Sequence, residues 1–321
     1  MSRARAVVDP DALTCGVDVG GTKIAAALVS ASGEILAHDR VASPAGDAED
    51  VEDAIAALVR GLAVDRPVAA VGVGAAGYVD AGRRVVMFAP NIAWRDAPLA
   101  EALERRLDLP VVVENDANAA AWGEFRFGAA ADADDLLMMT IGTGVGGGLV
   151  FGGELFRGSF GAAAEIGHLR VVPGGRDCGC GRQGCLEQYG SGRALVAAAR
   201  ARALDPRGAA LLARAGGDPD RIDGPFVTAA AQDGDPTARA ALAEIGGWLG
   251  EALASLAAVL DPGVVVIGGG VSEAEDLLLD PLREAYGAHL SGRGHHPELE
   301  VRAAALGNDA GVIGAADLAR R

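Results

Sequence analysis

The sequence predicts an α/β fold with a largely buried sheet. Strand-like and helix-like stretches alternate along the chain, and 50% of its 321 residues are hydrophobic, which is enough for two domains with buried cores. One pattern of strand, glycine-rich turn and strand also occurs twice, about 120 residues apart, as a duplicated supersecondary unit would. The 47 glycines cluster in short runs without a period, which indicates tight backbone turns.

The first third of the chain predicts one α/β unit. Gly20-Gly21 separates two short hydrophobic runs, as the turn of a β-hairpin does. Helical spacing then alternates with Val-rich runs that are typical of buried strands. The predicted elements are strands at 14–19, 24–29 and 34–42, a helix at 47–62, a strand at 68–74, a helix at 97–107 and a strand at 111–114.

The remainder of the chain predicts a second, larger unit. Strands at 135–141 and 146–151 flank Gly142-Thr143-Gly144, and a loop-rich region to Tyr189 precedes mostly helical sequence to Leu260. A buried strand at 264–267 and a helix from about Ala310 follow. We therefore expect a smaller α/β domain of residues 1–118 plus 306–321 and a larger one of residues 119–305.

Charge and hydropathy exclude several classes of protein. The net charge of −16 does not suit a nucleic-acid surface, which needs clustered Lys and Arg. The first 13 residues lack the apolar run of a signal peptide. The most apolar stretch, 245–271, is interrupted by Glu251 and Asp261-Pro262, so we expect a buried helix and a strand rather than a membrane span. These observations predict a cytoplasmic protein without membrane or nucleic-acid partners.

Three of the four cysteines predict a metal site. Cys178, Cys180 and Cys185 lie within eight positions, separated by glycines, and His168 precedes them by ten residues. A Cys3His set suits tetrahedral zinc and leaves no open position, so the zinc would be structural. The alternative is a cluster of reduced thiols without a metal. Cys15, in the first strand, is expected to fill the core.

Two glycine-rich loops predict phosphate binding. Backbone N–H groups in such turns can approach phosphate oxygens closely, and Thr22 and Lys23, the only lysine of the chain, can add donors. Taken alone, a Gly-Gly hairpin is most often only a turn. Two such loops facing each other across an interdomain cleft would hold Mg-ATP, with Asp18 acting on the magnesium. The candidate residues are Asp18, Gly20, Gly21, Thr22 and Lys23 in the first loop, and Thr140, Gly142, Thr143 and Gly144 in the second.

Acidic residues predict a catalytic and ligand-binding centre. Asp116 follows a Val-rich strand and opens a helix, where a carboxylate can either cap the helix or face a ligand, and both roles remain open for the Asn115–Asn118 segment. Glu165 and Glu187 flank the predicted metal site, which would fix them in place to bind vicinal hydroxyls of a sugar.

Taken together, the motifs resemble those of the ROK family of sugar kinases and sugar-responsive repressors, and within it the actinobacterial ATP-dependent glucokinases. The motifs concerned are Asp18-Val-Gly-Gly-Thr-Lys23, Glu114-Asn-Asp116, Glu165-Ile-Gly-His168 and the Cys-x-Cys-Gly-x-x-Gly-Cys-x-Glu run that ends at Glu187. The resemblance implies an actin-like ATPase fold, which is a duplicated ribonuclease-H-like fold of two domains with a central cleft. It also implies a homodimer or homotetramer and a role in glycolysis.

The resemblance further implies roles for individual residues in transferring the γ-phosphate of ATP to the 6-hydroxyl of glucose. Asp116 resembles the general base that accepts the hydroxyl proton. The implied sugar-binding residues are Gly77, Asn115, Asp116, Glu165, His168 and Glu187, and the implied adenosine-side residues are Gly269, Gly270 and Asn308. His168 would serve both the zinc and the sugar, with one ring nitrogen for each. Asn91 also corresponds to a position near the sugar in such kinases.

Other activities compatible with the same motifs remain open. One is a kinase of the same family for another hexose or an N-acetylhexosamine, or one that uses polyphosphate. Another is a sugar-sensing regulator, but the fifteen residues before Gly16 leave no room for a helix-turn-helix reader and the charge is acidic. A sensor with an inactive site is disfavoured by the intact Asp116.

Overall fold

The computed structural model describes residues 8–44, 47–90, 92–295 and 297–321. It divides the chain into two compact units. The first comprises Met1–Leu136, Gly148–Ala164 and Ala305–Arg321, and the second comprises Leu137–Gly147 and Glu165–Ala304. The functional domains expected above, 1–118 plus 306–321 and 119–305, remain a prediction.

The strands and helices alternate along the chain as the sequence predicted. The strands are β1 (Thr14–Val19), β2 (Lys23–Val29), β3 (Ile35–Ala42), β4 (Ala70–Ala75), β5 (Tyr78–Val79), β6 (Val86–Phe88), β7 (Arg95–Ala97), β8 (Val111–Asn115), β9 (Leu136–Ile141), β10 (Val145–Phe151), β11 (Glu154–Leu155), β12 (Val264–Gly268) and β13 (Glu300–Ala303). The α-helices are α1 (Ala48–Leu62), α2 (Leu99–Leu107), α3 (Asp116–Phe127), α4 (Glu187–Gly190), α5 (Gly192–Ala203), α6 (Ala209–Arg214), α7 (Gly224–Gln232), α8 (Pro236–Leu260), α9 (Asp276–His289) and α10 (Ala310–Leu318).

The first five-stranded sheet has the order β3-β2-β1-β4-β8. Strands β1 and β2 form the predicted antiparallel hairpin, while β4 pairs in parallel with both β1 and β8. Strand β4 is buried along its whole length, as its run of small apolar residues requires of a central parallel strand. In a parallel arrangement the carboxyl ends of β1, β4 and β8 lie at one edge, which places Asp18, Gly77 and Asn115 near each other.

Helix α10 packs closely on this sheet because β1 and β4 carry glycines beneath it. A Cβ atom on Gly16 would overlap the Val312 carbonyl, and one on Gly72 would overlap the Ala315 carbonyl. The helix backbone therefore rests directly on the strands, which is possible only where side chains are absent. Cys15 in β1 is fully buried, as expected for core filling.

The second five-stranded sheet has the order β11-β10-β9-β12-β13. Counted from their first strands, β1 and β9, both sheets follow the same order: third, second, first, fourth and fifth strand. In each, the first two strands are joined by a glycine-rich turn. The repeated topology agrees with the duplication predicted from the two strand–turn–strand patterns.

A small antiparallel sheet, β5-β6-β7, was not predicted from the sequence. Its strands have only two or three residues each, too few for a period-two pattern to show. The sheet lies between β4 and α2 in the chain, so that it follows the end of a central strand. Trp94, just before β7, is completely buried and anchors it.

Helix α8 is the one helix of the described chain that is long and apolar enough to be considered as a membrane span. Half of its most apolar window is buried inside the protein, as in the core helix of a soluble domain. Its glycines Gly246 and Gly250 pack against the backbone of α9. The helix ends at Leu260 and β12 begins at Val264, as predicted for this stretch.

Candidate active site

The first glycine turn joins β1 to β2. The Gly20 N–H donates to the Lys23 carbonyl over 3.0 Å, which closes the turn, while Gly21, Thr22 and Lys23 are exposed. The Thr22 carbonyl accepts a hydrogen bond of 3.0 Å from the Ser43 N–H, which fixes the turn to the end of β3. The turn therefore presents a hydroxyl and an ammonium group to solvent on a fixed backbone.

Asp18 is the fifth of the six residues of β1, half-buried between the glycine turn and the start of α10. Its carboxyl group lies in van der Waals distance of Gly311, 3.6 Å from where a Cβ would stand. Burial, followed by the negative charge of Asp116, raises the pKa of Asp18 to about 6, although Lys23 partly offsets this. Among the described residues no arginine pairs with this carboxylate, so its buried charge suits the interaction with a cation that the sequence predicted.

Asp116 is the first residue of α3, at the carboxyl end of β8. Its Oδ1 accepts hydrogen bonds from its neighbour's backbone, Ala117 N–H at 2.9 Å, and from Asn115 Nδ2 at 3.1 Å. Within the described residues, Oδ2 has no hydrogen-bond partner. Burial raises the pKa of Asp116, and these hydrogen bonds only partly counter it. One oxygen is thus oriented by the protein and the other is available to a ligand.

Asn115 settles the question of helix capping that the sequence left open. It is the N-cap of α3, and its Oδ1 accepts from the Asn118 N–H over 3.0 Å. Its Nδ2 donates to Asp116 and also to the Gly77 carbonyl over 3.1 Å. Asn115 therefore caps the helix, and its side chain links Gly77 to Asp116.

The predicted adenosine-side residue of this unit, Asn308, lies in the short turn Gly307–Asp309 that leads into α10. Glu124, which is fully buried in α3, fixes the preceding backbone. Its two carboxylate oxygens accept from the Ala305 and Leu306 N–H groups at 3.1 and 2.8 Å. Asn308 itself is exposed at the surface of the unit.

In the second unit, the second glycine turn lies against residues of the predicted sugar site. The Gly142 N–H donates to the Gly144 carbonyl over 3.0 Å, and the Gly142 carbonyl accepts from Gly192 N–H at 2.8 Å. A Cβ on Gly144 would overlap the carboxylate of Glu187. A predicted phosphate-binding loop and a predicted sugar-binding residue, Glu187, are thus in direct contact.

Arg193 joins this group and was missed by the sequence analysis. Its Nε donates to the Thr143 carbonyl over 3.0 Å, and its guanidinium lies 3.7 Å from the Glu187 carboxylate. Its side chain is about two-thirds exposed (67%), so the ion pair itself contributes little to stability. No motif indicated it, because its link to Thr143 spans fifty residues.

The predicted metal-binding residues converge. One ligand atom from each of His168, Cys178, Cys180 and Cys185 lies within 4.8 Å of all the others. The Cys180 and Cys185 sulfurs are 3.7 Å apart, and His168 Nδ1 is 3.7 Å from the Cys178 sulfur. Tetrahedral zinc with bonds of about 2.3 Å to sulfur needs ligand separations of about 3.8 Å, so the donor set fits this metal.

Glu165 is exposed and directly precedes the short turn Ile166–His168. The Glu165 carbonyl accepts from the His168 N–H over 3.0 Å, which couples the two residues. Gly167 packs so closely on the Val145 carbonyl that a Cβ would overlap it. The turn is thereby held against the first residue of β10, next to the second glycine loop.

Gly269 and Gly270, predicted on the adenosine side, follow β12 in the same unit. Gly269 has a φ of +85°, and a side chain there would collide with the backbone of Ile141, the last residue of β9. This close approach places the Gly269-Gly270 turn beside Gly142. Asn91 lies outside the described residues.

The sequence profile of the ROK family matches residues 14–321. A glucokinase of Streptomyces coelicolor is 52% identical over 310 residues, 96% of this chain and 98% of the relative. The crystal structure of a ROK family glucokinase from Streptomyces griseus, in complex with glucose and AMPPNP, is 53% identical, with a TM-score of 0.89 over 96% of this chain and 99% of that one. The crystal structure of a ROK hexokinase from Thermus thermophilus is 37% identical, with a TM-score of 0.80 over 96% of this chain and 97% of that one.

The profile match over most of the chain and the relatives of more than 30% identity agree on one class of protein. The chain belongs to the ROK family. The predicted actin-like ATPase fold, with its duplicated ribonuclease-H-like topology, is confirmed.

Proposed function

We propose that the protein is a glucokinase that transfers the γ-phosphate of ATP to the 6-hydroxyl of glucose and forms glucose 6-phosphate. The observation that carries the proposal is Asp116, half-buried, with a raised pKa, one oxygen oriented by Asn115 and the other without a partner among the described residues. The names of the relatives from Streptomyces coelicolor and Streptomyces griseus support glucose as the acceptor.

Asp116 acts as the general base. A carboxylate whose pKa is raised by burial accepts a proton more readily than an exposed one, and its fixed orientation aligns the sugar hydroxyl for attack. Asn115 and the backbone at Gly77 bind the sugar beside the base, together with Glu165, His168 and Glu187. Glutamates accept hydrogen bonds from vicinal hydroxyls, which distinguishes sugar epimers by geometry.

The donor is held by backbone rather than by a P-loop. The turns at Gly20-Gly21 and Gly142–Gly144 bind the phosphates of ATP through the backbone N–H groups that do not close the turns, with Thr22 and Lys23 as further donors. Gly269, Gly270 and Asn308 contact the adenosine. Thr140 and Thr143 complete the second loop. Asp18 would hold the magnesium that enters with ATP, and this ion supplies neutralisation of the phosphate charge.

The Cys3His cluster would hold a structural zinc ion. Four protein ligands fill a tetrahedral site, so its role is to fix the chain between His168 and Glu187 and not to take part in the reaction. His168 faces Cys178 with Nδ1, which leaves Nε2 for the sugar. We also propose that the enzyme is cytoplasmic, that it acts in glycolysis and that it is a homodimer or homotetramer.

A coupled assay across several hexoses and N-acetylhexosamines, with ATP and polyphosphate as donors, tests the proposal. We expect the highest kcat/KM for glucose with ATP. A higher value for another sugar would reassign the substrate, and a higher value with polyphosphate would reassign the donor. Sugar binding without turnover in any combination would indicate a sensor and contradict the proposal.

A further inference from the structure

Directly behind the predicted base lies a buried cluster of three charges that the mechanism above does not use. Glu114, the fourth residue of β8, has a side chain only 1% exposed. Its carboxylate lies 3.3 Å from Arg83 Nε and 2.8 Å from Arg157 Nε, and the arginine side chains are 17% and 13% exposed. Burying three charges costs much solvation, and such a cluster is weak evidence for stability alone. The position of this charge cluster next to Asp116 therefore indicates a functional role.

The two carboxylate oxygens of Glu114 make different contacts. Oε2 faces both arginines, whereas Oε1 accepts hydrogen bonds from the Asn115 N–H at 3.0 Å and from Asn118 Nδ2 at 3.1 Å. Asn115 and Asn118 are the two residues joined by the N-cap bond of α3. Glu114 thus fixes both the backbone and the cap of the segment that holds Asp116.

The arginines fix Glu114 in turn, because each is tied to the β5–β6 hairpin. The terminal nitrogens of Arg157 donate to the Asp80 and Ala81 carbonyls at 2.8 and 2.9 Å. The Arg83 carbonyl accepts from the Val113 N–H over 2.9 Å, and Arg83 has a φ of +60°, which a non-glycine residue adopts only under constraint. The Asp80 carboxylate maintains this turn by accepting from three backbone N–H groups.

We propose that Glu114, clamped by Arg83 and Arg157, is a positioning residue for the phosphoryl transfer. It sets the orientation of Asn115, which in turn donates to Asp116 and to the Gly77 carbonyl. This inference rests on the proposed function, since it assigns Glu114 to the same reaction. Glu114 acts through Asn115 and contacts neither substrate.

The chain offers a matched control at the other end of β8. Glu104 pairs with Arg84 through two bonds of 3.1 and 2.6 Å and accepts from Val111 N–H, the first residue of the strand. Glu104 lies on α2 and is one-third exposed. Like Glu114, it pairs with an arginine of the β5–β6 hairpin and accepts from a backbone N–H of β8, but it has no link to Asn115. Glu104→Gln should leave kcat and both KM values unchanged.

The test is a double-mutant cycle. Glu114→Gln should lower kcat at least about tenfold and raise the KM for the hexose, with the KM for ATP unchanged, since the loss of an aligned base costs one to several orders of magnitude. Because Glu114 acts through Asn115, adding Glu114→Gln to Asn115→Ala should cause little further loss. Kinetics are compared per folded enzyme, after thermal melting of each variant.

Arg157→Lys provides a second variant if Glu114→Gln does not fold. Lysine keeps the positive charge but lacks the guanidinium group that joins Glu114 to two carbonyls. We therefore expect a lower kcat, a higher KM for the hexose and an unchanged KM for ATP, with smaller changes than in Glu114→Gln. Losses that multiply in the double variant, or unchanged kinetics in Glu114→Gln, would overturn the proposal. If the wild-type enzyme phosphorylates no hexose, it is instead the proposed function that fails.

Discussion

At the residue scale, two carboxylates close to each other in one unit have different surroundings. Burial raises the pKa of both, yet Asp116 receives hydrogen bonds from Asn115 and Ala117, while Asp18 responds to the charges of Asp116 and Lys23. Different surroundings of this kind permit different roles, one as a base and one near a cation. The difference could not be deduced from the sequence, since it depends on the junction of β1, β8 and α10.

The raised pKa of Asp18 predicts that its ionised carboxylate lowers the free energy of unfolding at high pH but not at low pH. Its folded-state pKa of about 6 lies above the unfolded value of about 3.9. Below the unfolded value the carboxyl group is protonated in both states and costs no stability. As pH rises through 6 the group ionises in the folded protein as well, and the full cost of the buried charge is then present. Asp18→Asn should therefore raise the free energy of unfolding of the ligand-free protein by about 3 kcal/mol at pH 8, and very little at pH 4. Denaturant melts at both pH values measure this.

Asp39→Asn is the control for that experiment. Asp39 lies exposed on β3, and its substitution should change stability by a small amount at either pH. An equal effect of Asp18→Asn at pH 4 and pH 8 would refute the assignment of the cost to an ionised carboxylate.

Lys23 permits a test of the first glycine turn, because it is the only lysine of the chain and is exposed. An amine-reactive reagent should modify this side chain, and MgATP should slow the modification at least several-fold by covering it. Peptide mass spectrometry measures the extent at Lys23, with glucose alone as the control that should give no protection. Equal labelling with and without MgATP would remove Lys23 from the nucleotide site.

At the element scale, the features that the sequence predicted are those encoded locally. The buried runs of β1, β4 and β8 and the close spacing of Cys178, Cys180 and Cys185 are visible within a few residues. The small sheet β5-β6-β7 was missed because its strands are too short to show a pattern. Arg157 and Arg193 were missed because their partners Glu114 and Thr143 are 43 and fifty residues away along the chain.

The loop between His168 and Glu187 has little regular structure, and the proposed zinc replaces the support that a helix or strand would give. Cys180→Ala should therefore lose the metal, lower the melting temperature by several degrees and raise the KM for glucose, because Glu187 and His168 lose their anchor. Elemental analysis, thermal melting and kinetics measure the three effects.

Cys15→Ala serves as the control for zinc, since Cys15 is buried in β1 and is not one of the four residues of the cluster. It should keep one zinc ion per chain even if it is less stable. A Cys180→Ala protein that retains stoichiometric zinc, or a fully active protein without metal, would contradict the structural role.

At the scale of the whole molecule, the chain uses one topology twice. Each five-stranded sheet begins with a hairpin whose turn is rich in glycine, and each turn is fixed by hydrogen bonds within its own unit. The repeated pattern was visible in the sequence because glycines punctuate both hairpins. The two units differ in what surrounds the turn, which is an aspartate pair in the first and the Cys3His cluster with Glu187 in the second.

The most direct test of the central claim is the turnover of Asp116→Ala with glucose and ATP, measured beside glucose binding by calorimetry. Removal of the base should lower kcat by about 10² to 10⁴-fold while the Kd for glucose changes only a few-fold, because Asn115, Glu165, His168 and Glu187 still bind the sugar. A variant that retains appreciable kcat would contradict the assignment of Asp116 as the base.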